Sequence, residues 1–424
     1  MTSVAAAVSP VPSSPSRSSP SGAPPGTASN AMDAFSVLTS RYLKLCEERR
    51  CEPIAPLLSL LETSVPTKNN AVHIHSISLR GSQPALFNKR VSYNQLDAMT
   101  EALRGACPMH TLDLSYNFID DTGARLIADF LRETSVRVVN IRGNDIGAAG
   151  MSSIAEAISS SPGGGVQELY VSGNLFGLEG ARALAGLISR SESLLVLEMK
   201  GCGIGLDGLI HISSALSAPS GASPALEVLG LEDVLQPGVQ QEQAVHLAKM
   251  LACNTQLKEL YIGKTGFRDL GCSTLVEYGL LRNSALTKLD LRCNSISLES
   301  GPSIARLLES NGALTSLNLS HNALGDEGAR AIAHALPRNS TLSHLDVSSN
   351  SIGTPGLVSL AKTLRDSDVV HVCCRGNNFS NDAPGRAFQE LINEKKRRGD
   401  IVLLDIRPQE VDGVVRVAID NENI

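Results

Sequence analysis

The feature that most constrains this chain is one line of sequence that recurs ten times between Met109 and Phe379. Its pattern is apolar-x-x-apolar-x-apolar-x-x-Asn-x-apolar, and the copy from Leu314 to Leu324 matches it at every position. A repeat of this length predicts a solenoid, in which each unit packs only against its neighbours. Such a fold offers a long surface to another macromolecule, so the repeat argues against a deep catalytic pocket.

The asparagine position defines the unit. An earlier copy, from Ile74 to Leu79, lacks the asparagine but keeps the apolar alternation, so we count eleven units, of which the first is degenerate. The later copies are 27 to 32 residues apart, and the asparagine position is occupied in turn by Asn117, Asn144, Asn174, Cys202, Val234, Thr265, Asn294, Asn322, Asn350 and Asn377.

The first half of each unit has the period of a strand. Leu317 and Leu319 alternate with polar residues, which is the pattern of a strand with one buried face. The side-chain amide of Asn322 can bond to the backbone where the chain turns out of that strand. We therefore predict a short strand followed by an asparagine turn in each unit.

The second half of each unit has the period of a helix. Ala329, Ile332, Ala333 and Leu336 are spaced i, i+3, i+4, i+7, and four other units repeat the same spacing. Strands pack about 4.8 Å apart, whereas a helix with its side chains is about 10 Å wide. The stack must therefore curve into a right-handed α/β horseshoe, with parallel strands on the concave face and helices on the convex face.

This pattern resembles the leucine-rich repeats, in particular the long ribonuclease-inhibitor-like class, over roughly residues 72–398. A shorter resemblance lies before the repeats, where the segment from Tyr42 to Pro53 and the leucines from Leu57 to Leu61 are similar to the entry segment of leucine-rich repeat-containing protein 34 and related ciliary repeat proteins. The second resemblance implies a non-enzymatic subunit of a larger assembly, such as the axoneme of a cilium or flagellum.

Composition narrows the classes of partner. The net charge of −6 argues against nucleic acid, which favours a basic face. No apolar stretch reaches the length of a membrane span, and the N-terminus shows no basic-then-apolar signal, so we expect a cytoplasmic protein. Nine cysteines occur without a CxxC motif, and we interpret them, including Cys107, Cys253 and Cys272, as reduced core residues.

The segments outside the repeats predict three further parts. Residues 1–31, with nine serines and six prolines, are expected to be a disordered tail. Residues 32–71 predict a helical cap that Pro53 and Pro56 interrupt. After a helix over 384–398 with a basic end, residues 399–424 predict a hairpin cap, with strands at 401–406 and 414–419 that cover the edge of the sheet.

Two segments depart from the repeat. Residues 82–94 are an insertion in the first unit, and residues 235–243 replace the regular turn in the sixth, with Pro237, Gly238 and four glutamines between positions 236 and 243. Loop variation in a solenoid can serve a partner, and it can also be a neutral insertion. The sequence leaves both interpretations open.

The strand residues that point away from the helices form the predicted partner-binding face. Three such positions per strand hold seven acids and five bases across the ten full copies, so no field of one sign is expected. Tyrosine and arginine are the residue types that dominate binding energy at interfaces. The predicted partner-binding residues are Asp113, Arg142, Glu168, Tyr170, Glu198, Lys200, Glu259, Tyr261, Asp290, Arg292, His344, Asp346, His371 and Arg375.

One cluster on that face has alternative interpretations. His344 and His371 occupy equivalent positions in adjacent units, with Asp346 and Cys373 one step further along. These four side chains could bind zinc, could respond to pH near 6.5, or could be ordinary surface residues. The last is the simplest interpretation, so no metal and no cofactor is predicted.

The sequence contains no phosphate-binding loop, nucleophile elbow or HExxH motif, so no catalytic residue is predicted. We interpret the chain as a protein-protein interaction scaffold that acts as a monomer within a hetero-complex. Two alternatives remain open at this point. One is a GTPase activator, since the activators of Ran share this repeat class but typically have a long acidic C-terminal segment. The other is an inhibitor that wraps around an enzyme.

Overall fold

The computed structural model describes residues 27–63, 74–105, 108–160, 165–217, 225–233, 240–411 and 414–420. Twelve short strands form one parallel sheet in which the strand order follows the chain order. They are β1 Ser76–Ser78, β2 Thr111–Asp113, β3 Val138–Asn140, β4 Glu168–Tyr170, β5 Val196–Glu198, β6 Val228–Gly230, β7 Glu259–Tyr261, β8 Lys288–Asp290, β9 Ser316–Asn318, β10 His344–Asp346, β11 His371–Cys373 and β12 Leu403–Leu404.

Helices alternate with these strands. They are α1 Thr27–Glu48, α2 Ala55–Thr63, α3 Tyr93–Leu103, α4 Asp121–Arg132, α5 Ala148–Ser160, α6 Gly177–Arg190, α7 Gly205–Ser217, α8 Gln240–Cys253, α9 Arg268–Leu275, α10 Gly301–Ser310, α11 Gly325–Ala335, α12 Thr354–Leu364 and α13 Asp382–Arg398. A π-helical turn, Val276–Leu280, extends α9, and 3-10 turns lie at Leu298–Ser300 and Leu336–Arg338. None of the helices that the structure describes combines the length and the apolar character needed to cross a membrane.

The core is the layer between sheet and helices, as the repeat predicts. Leu317 of β9 is buried, and Leu319 just beyond it is buried too. The four predicted apolar positions of α11 and its extension, from Ala329 to Leu336, have no exposed surface. Strands pair in register, with Leu317 beside Leu289 and Leu345, so each unit buries its leucines against the units on either side. The predicted α/β solenoid is confirmed.

The asparagines form a ladder inside this layer. Asn322 donates from Nδ2 to the carbonyl oxygens of Leu319 at 2.8 Å and Leu291 at 3.1 Å. Its Oδ1 accepts from the backbone nitrogens of Asn294 at 2.8 Å and Ile296 at 3.1 Å. One side chain therefore satisfies buried backbone groups of two successive turns, which explains the residue preference at this position.

The N-terminal helices cover the first unit. The helix α1 begins at Thr27, five residues before the predicted cap, and the rest of the predicted tail lies outside the described residues. Tyr42 is fully buried, and its hydroxyl accepts a hydrogen bond of 2.8 Å from the Ile54 nitrogen, which holds the start of α2. Leu57 and Leu61 of α2 are also buried, so both helices pack into the core, while residues 64–71 of the predicted cap lie outside the described residues.

The C-terminal prediction is partly wrong. Residues 403–404 form the twelfth parallel strand, beside β11, and so continue the sheet. The hairpin consists of β13 Ile406–Val411 and β14 Val414–Ile419, and it is a separate two-stranded sheet. It packs on α13, since a Cβ at Gly385 would come within 2.9 Å of the Val415 backbone oxygen. The hairpin therefore does not cover the sheet edge as predicted.

The irregular segments and the cysteines also differ from a uniform repeat. The insertion ends in α3, and its Leu86 and Val91 are buried against the first unit. Residues 234–239 of the sixth unit lie outside the described residues.

The eight described cysteines are all free, and four of them are buried. Cys253 is exposed, at the end of α8, so its interpretation as a core residue was wrong.

Candidate partner-binding site on the concave face

In-register pairing arranges the strand side chains in rows across the sheet. Residues facing away from the helices therefore stand beside their counterparts in adjacent units, and we call this side the concave face. In one row Tyr170 lies beside Glu198, then Gly230, Tyr261 and Asp290 on successive strands. Neighbouring strands are about 4.8 Å apart, so Tyr170 and Tyr261, three strands apart, are separated by roughly 14 Å.

A cleft with a volume of about 320 Å³ lies between Tyr170 and Tyr261. Val196, Val228 and Gly230 line its floor, and Tyr170 and Tyr261 line its two ends. A Cβ at Gly230 would come 2.8 Å from the Glu198 side chain, so the glycine keeps the floor low. Five charged residues complete the lining: Glu198, Lys200, Glu232, Asp290 and Arg292.

Tyr170 is fixed by charged neighbours. Its hydroxyl donates a hydrogen bond of 2.8 Å to Oε2 of Glu168 on the same strand. The Arg142 guanidinium lies over the ring, 4.3 Å from its centroid, and pairs with Glu198. Burial and the Glu168 carboxylate raise the pKa of Tyr170 to about 12, so the hydroxyl is protonated at neutral pH.

Tyr261 has the same environment at the other end of the cleft. Its hydroxyl donates a hydrogen bond of 2.5 Å to Oε2 of Glu259, again two residues earlier. The Lys288 amine lies 5.1 Å from the ring centroid and 3.5 Å from the Glu259 carboxylate. The hydrogen bond with Tyr261 raises the pKa of Lys288, which keeps this cation charged. The Glu-Leu-Tyr sequence thus occurs twice with a cation on each ring.

Ion pairs surround the buried Glu232 at the cleft. Its carboxylate pairs with Lys200 and, at 2.5 Å, with Nη2 of Arg292. Arg292 also lies 3.5 Å from Asp290, and burial raises the pKa of that carboxyl group. Opposite charges are thus matched within the site, which leaves the apolar floor and the tyrosine rings as its distinctive surface.

The predicted residues are not all exposed, and not all of them contact the cleft. Asp113 is buried rather than exposed, because it binds Arg80 at 2.7 Å and the Ser115 hydroxyl at 2.7 Å. Asp290 is likewise buried, which corrects the expectation that both are exposed. Arg375 lies 3.8 Å from the buried Asp405, at the C-terminal end of the sheet. Asp113 pairs with an arginine of the adjacent unit, whereas Asp290 pairs with Arg292 of its own unit.

The histidine cluster forms a stacked pair. The rings of His344 and His371 are 4.4 Å apart and 7° from parallel. Asp346 instead accepts hydrogen bonds from Ser348, and burial raises the pKa of the Cys373 thiol to about 12. No set of three histidine, cysteine or carboxylate side chains in the described ranges is arranged to hold a metal ion, which contradicts the zinc alternative.

Sequence reasoning missed some of the residues that complete the site. Lys288 and Glu232 were among the inward positions, but only their pairing with Tyr261, Lys200 and Arg292 reveals their part in the site. The sequence did contain a signal for this arrangement, because the tripeptide Glu-Leu-Tyr occurs in two strands. Arg142 lies one unit before the first copy, and Lys288 lies one unit after the second.

Comparisons with known proteins agree with this architecture. A leucine-rich repeat family model matches residues 106–128, 133–155, 282–305, 313–333 and 338–361. Ribonuclease inhibitor of Mus musculus is 25% identical, over 50% of this chain and 58% of its own.

Two further relatives match smaller shares of their own length. Leucine-rich repeat-containing protein 34 of Mus musculus is 32% identical over 24% of this chain and 23% of its own. The protein phosphatase 1 regulatory subunit 37 homolog of Caenorhabditis elegans is 25% identical over 62% of this chain and 23% of its own. The chain thus spans less than two thirds of each of these three relatives. The repeat spacing, the stacked strand-helix units and the family-model matches show that the chain is built of leucine-rich repeats, and the relatives support a similarity to the ribonuclease-inhibitor-like class.

Proposed function

We propose that this chain is a non-enzymatic protein-interaction scaffold, a monomer within a hetero-complex, whose concave face holds a protein partner at the cleft between Tyr170 and Tyr261. The observation that carries the proposal is the matched pair of tyrosines, each oriented by a glutamate and covered by a cation, around an apolar floor. Rings held in one orientation lose little conformational entropy on binding, which favours their use as anchors.

The chemistry of the cleft describes the partner surface. Val196 and Val228 favour an apolar side chain, while the surrounding acids and bases are already paired with each other. A partner with a strong charge of one sign would have to break these pairs. We therefore expect a protein surface of mixed polarity that inserts an apolar side chain between the two tyrosines.

The test is a double variant, Tyr170→Ala with Tyr261→Ala, in the full chain. Proteins cross-linked to the tagged chain in its own cells are quantified by mass spectrometry for the wild type and the variant. Tyr278→Ala is the matched control, because Tyr278 is 61% exposed and lies on the helical side of the unit. We expect the double variant to lose a defined partner that the control retains. An unchanged set of partners in a folded double variant would reject the concave site.

We further propose that the assembly is cytoplasmic and belongs to a cilium or flagellum. Support comes from the entry segment around Tyr42 and from the 32% identity to leucine-rich repeat-containing protein 34. Extraction of ciliated or flagellated cells with detergent and then high salt tests this step. Retention of the chain in the cytoskeletal pellet is expected, and complete release by detergent alone would contradict the ciliary assignment while leaving the scaffold proposal intact.

A second candidate is regulation of an enzyme by direct binding. Two of the three relatives are named for such a relationship, a ribonuclease inhibitor and a phosphatase regulatory subunit homolog. Titration of the purified chain into a pancreatic-type ribonuclease and into protein phosphatase 1 catalytic subunit tests it. A change in either activity that saturates at a one-to-one ratio would favour this candidate, and unchanged activities would remove both enzymes.

A further inference from the structure

Exposed aromatic residues are concentrated at one end of the solenoid. The chain has only 8 phenylalanines and 6 tyrosines. Four of them, Phe87, Tyr93, Tyr116 and Phe118, lie in the first two units and are 61%, 51%, 46% and 62% exposed. A large aromatic side chain in water loses the stabilisation that burial would give. This concentration therefore needs an explanation other than packing within the chain.

An arginine connects the two loops that carry these residues. Arg90, in the insertion of the first unit, lies over the Phe118 ring at 4.0 Å from the centroid. Its Nη1 also donates a hydrogen bond of 2.6 Å to the Tyr116 carbonyl oxygen. The Val91 nitrogen donates to Oδ1 of Asn117, at 3.1 Å. The insertion is thus fixed beside the asparagine turn. We call Arg90, Tyr116 and Phe118 the rim patch. Phe87 and Tyr93 lie on either side of Arg90 in the sequence.

The backbone of the rim patch is in an unfavourable conformation for its residues. Tyr116 and Phe118 have φ of 62° and 60°, in the left-handed region that favours glycine. The residue before the asparagine position has positive φ in every full copy of the repeat, and elsewhere it is glycine or a small or polar residue: Gly143, Gly173, Gly201, Asp233, Lys264, Cys293, His321, Ser349 and Gly376. Tyr116 has the largest side chain at this position, and strain kept at an exposed position favours a functional role.

The next unit leaves space for the tyrosine ring. A Cβ on Gly143, the equivalent residue of that unit, would lie 2.4 Å from Cδ1 of Tyr116. Only glycine at this position allows the ring to lie across the turn. The orientation of Tyr116 is therefore set by the neighbouring unit, although nearly half of its surface is exposed.

The charge of the rim patch indicates what it binds. Arg90 pairs with no carboxylate among the residues that the structure describes, in contrast to Arg80 and Arg49 nearby, which bind Asp113 and Asp97. An arginine stacked on an aromatic ring and lacking a carboxylate is suited to receive one from outside. Residues 1–31 of this chain contain no aspartate or glutamate, so that segment does not supply it.

We propose that the rim patch is a second docking site, which binds a segment of a partner protein carrying apolar side chains next to an aspartate or glutamate. The apolar side chains pack on Tyr116 and Phe118, and the carboxylate pairs with Arg90. This site lies on the turns where the strands end, apart from the cleft of the concave face, and it does not depend on the function proposed for that cleft.

The repeat itself supplies the variant that tests the proposal. The double variant Tyr116→Gly with Phe118→Gly places at both positions the residue that other units use, as at Gly201 and Gly203. Relief of the left-handed strain should leave the thermal unfolding temperature close to that of the wild type. Arg90→Glu is the second variant, since it keeps both rings. Leu270→Ser is the control, because Leu270 is a 58% exposed apolar residue on α9, several units away.

The probe is a random-peptide display library, selected on the full chain. We expect enrichment of peptides that combine an acidic residue with apolar ones, and at least about tenfold weaker binding of these peptides to the double glycine variant, measured by fluorescence anisotropy. Arg90→Glu should shift the preference to basic peptides, and Leu270→Ser should bind as the wild type does.

Three results would overturn the proposal. The first is that no enriched peptide depends on Tyr116 and Phe118. The second is a preference for basic peptides on the wild-type chain. The third is concentration-dependent dimerisation of the wild type that the double glycine variant abolishes in sedimentation experiments, because the occupant would then be a second copy of this chain.

Discussion

The carboxylate of Asp326 caps the helix of the following unit, because its Oδ1 accepts a hydrogen bond of 2.8 Å from the backbone nitrogen of Gly353. The same oxygen accepts from Gly356 at 3.0 Å. A helix start leaves backbone N–H groups without partners, and here an acid one unit earlier supplies the acceptor. Asp121 does the same for Gly147 and Gly150.

Replacement of Asp326 by alanine should therefore weaken the contact between two units rather than one helix alone. We expect a loss of about 2 kcal/mol in the free energy of unfolding, since two hydrogen bonds to a charged acceptor disappear. Urea denaturation followed by circular dichroism measures it. Glu327→Ala is the control, because Glu327 is exposed and pairs with Arg330 in its own helix. Equal losses in the two variants would contradict the capping role.

Leu317→Asp should unfold several units. Leu317 is 1% exposed and lies between Leu289 and Leu345 of the adjacent strands, so an aspartate there would be a buried charge without a partner. We expect the far-ultraviolet circular dichroism signal to fall and protease sensitivity to spread beyond β9. Ser316→Asp places the same charge on the half-buried opposite face and should leave both measurements nearly unchanged.

Asn322→Ala should be more damaging than Asn318→Ala, although both remove the same side chain. Asn322 satisfies buried backbone groups of two turns, so its loss leaves several of them without partners and should cost about 3 kcal/mol. Oδ1 of Asn318 accepts from the Ser320 nitrogen at 2.8 Å, on the concave face, and its loss should cost about 1 kcal/mol. Comparable urea midpoints for the two variants would argue against the ladder.

The stacked histidines should make the folded state sensitive to acid. Burial and the nearby His371 lower the pKa of His344 below its ordinary value of 6.5. The unfolded chain therefore binds a proton at His344 more readily than the folded chain does. Protonation of His344 has no effect on stability well above pH 6.5, and it destabilises the fold as the pH falls through that value. The loss of stability between pH 8 and pH 5.5 should be smaller in His344→Gln than in the wild type. A larger loss in the variant would show the opposite sign.

Much of the fold can be predicted from the sequence because its main determinant is periodic. Leu317, Leu319 and the apolar face from Ala329 to Leu336 are buried as their spacing indicates. An alternation of two residues in a short strand, followed by a helical spacing, has few structural solutions when it recurs in every unit. The strands and helices of the solenoid were therefore predictable.

The remainder depends on contacts between units, which a pattern within one unit does not report. Asp113 looked exposed because it alternates with leucines, yet it is buried and pairs with Arg80 of the preceding unit. The sequence predicted that the hairpin begins at residue 401, whereas it begins at Ile406. Leu403–Leu404 has the composition of a hairpin strand but continues the parallel sheet. Arg90 was not predicted, because its contact with Phe118 joins two turns that are far apart along the chain.

The interruption of the asparagine ladder has a mechanical consequence. Cys202, Val234 and Thr265 replace asparagine in three successive units, and these units carry the strands β5, β6 and β7 that lie under the cleft. Cys202 offers only a thiol, 3.6 Å from the Val171 oxygen, where other units have an amide. We therefore expect the horseshoe to bend most easily at its middle. The units before β5 and those after β7, where asparagines continue the ladder, would then move towards or away from each other as two rigid parts. A partner that pushes Tyr170 and Tyr261 apart would then straighten the whole molecule.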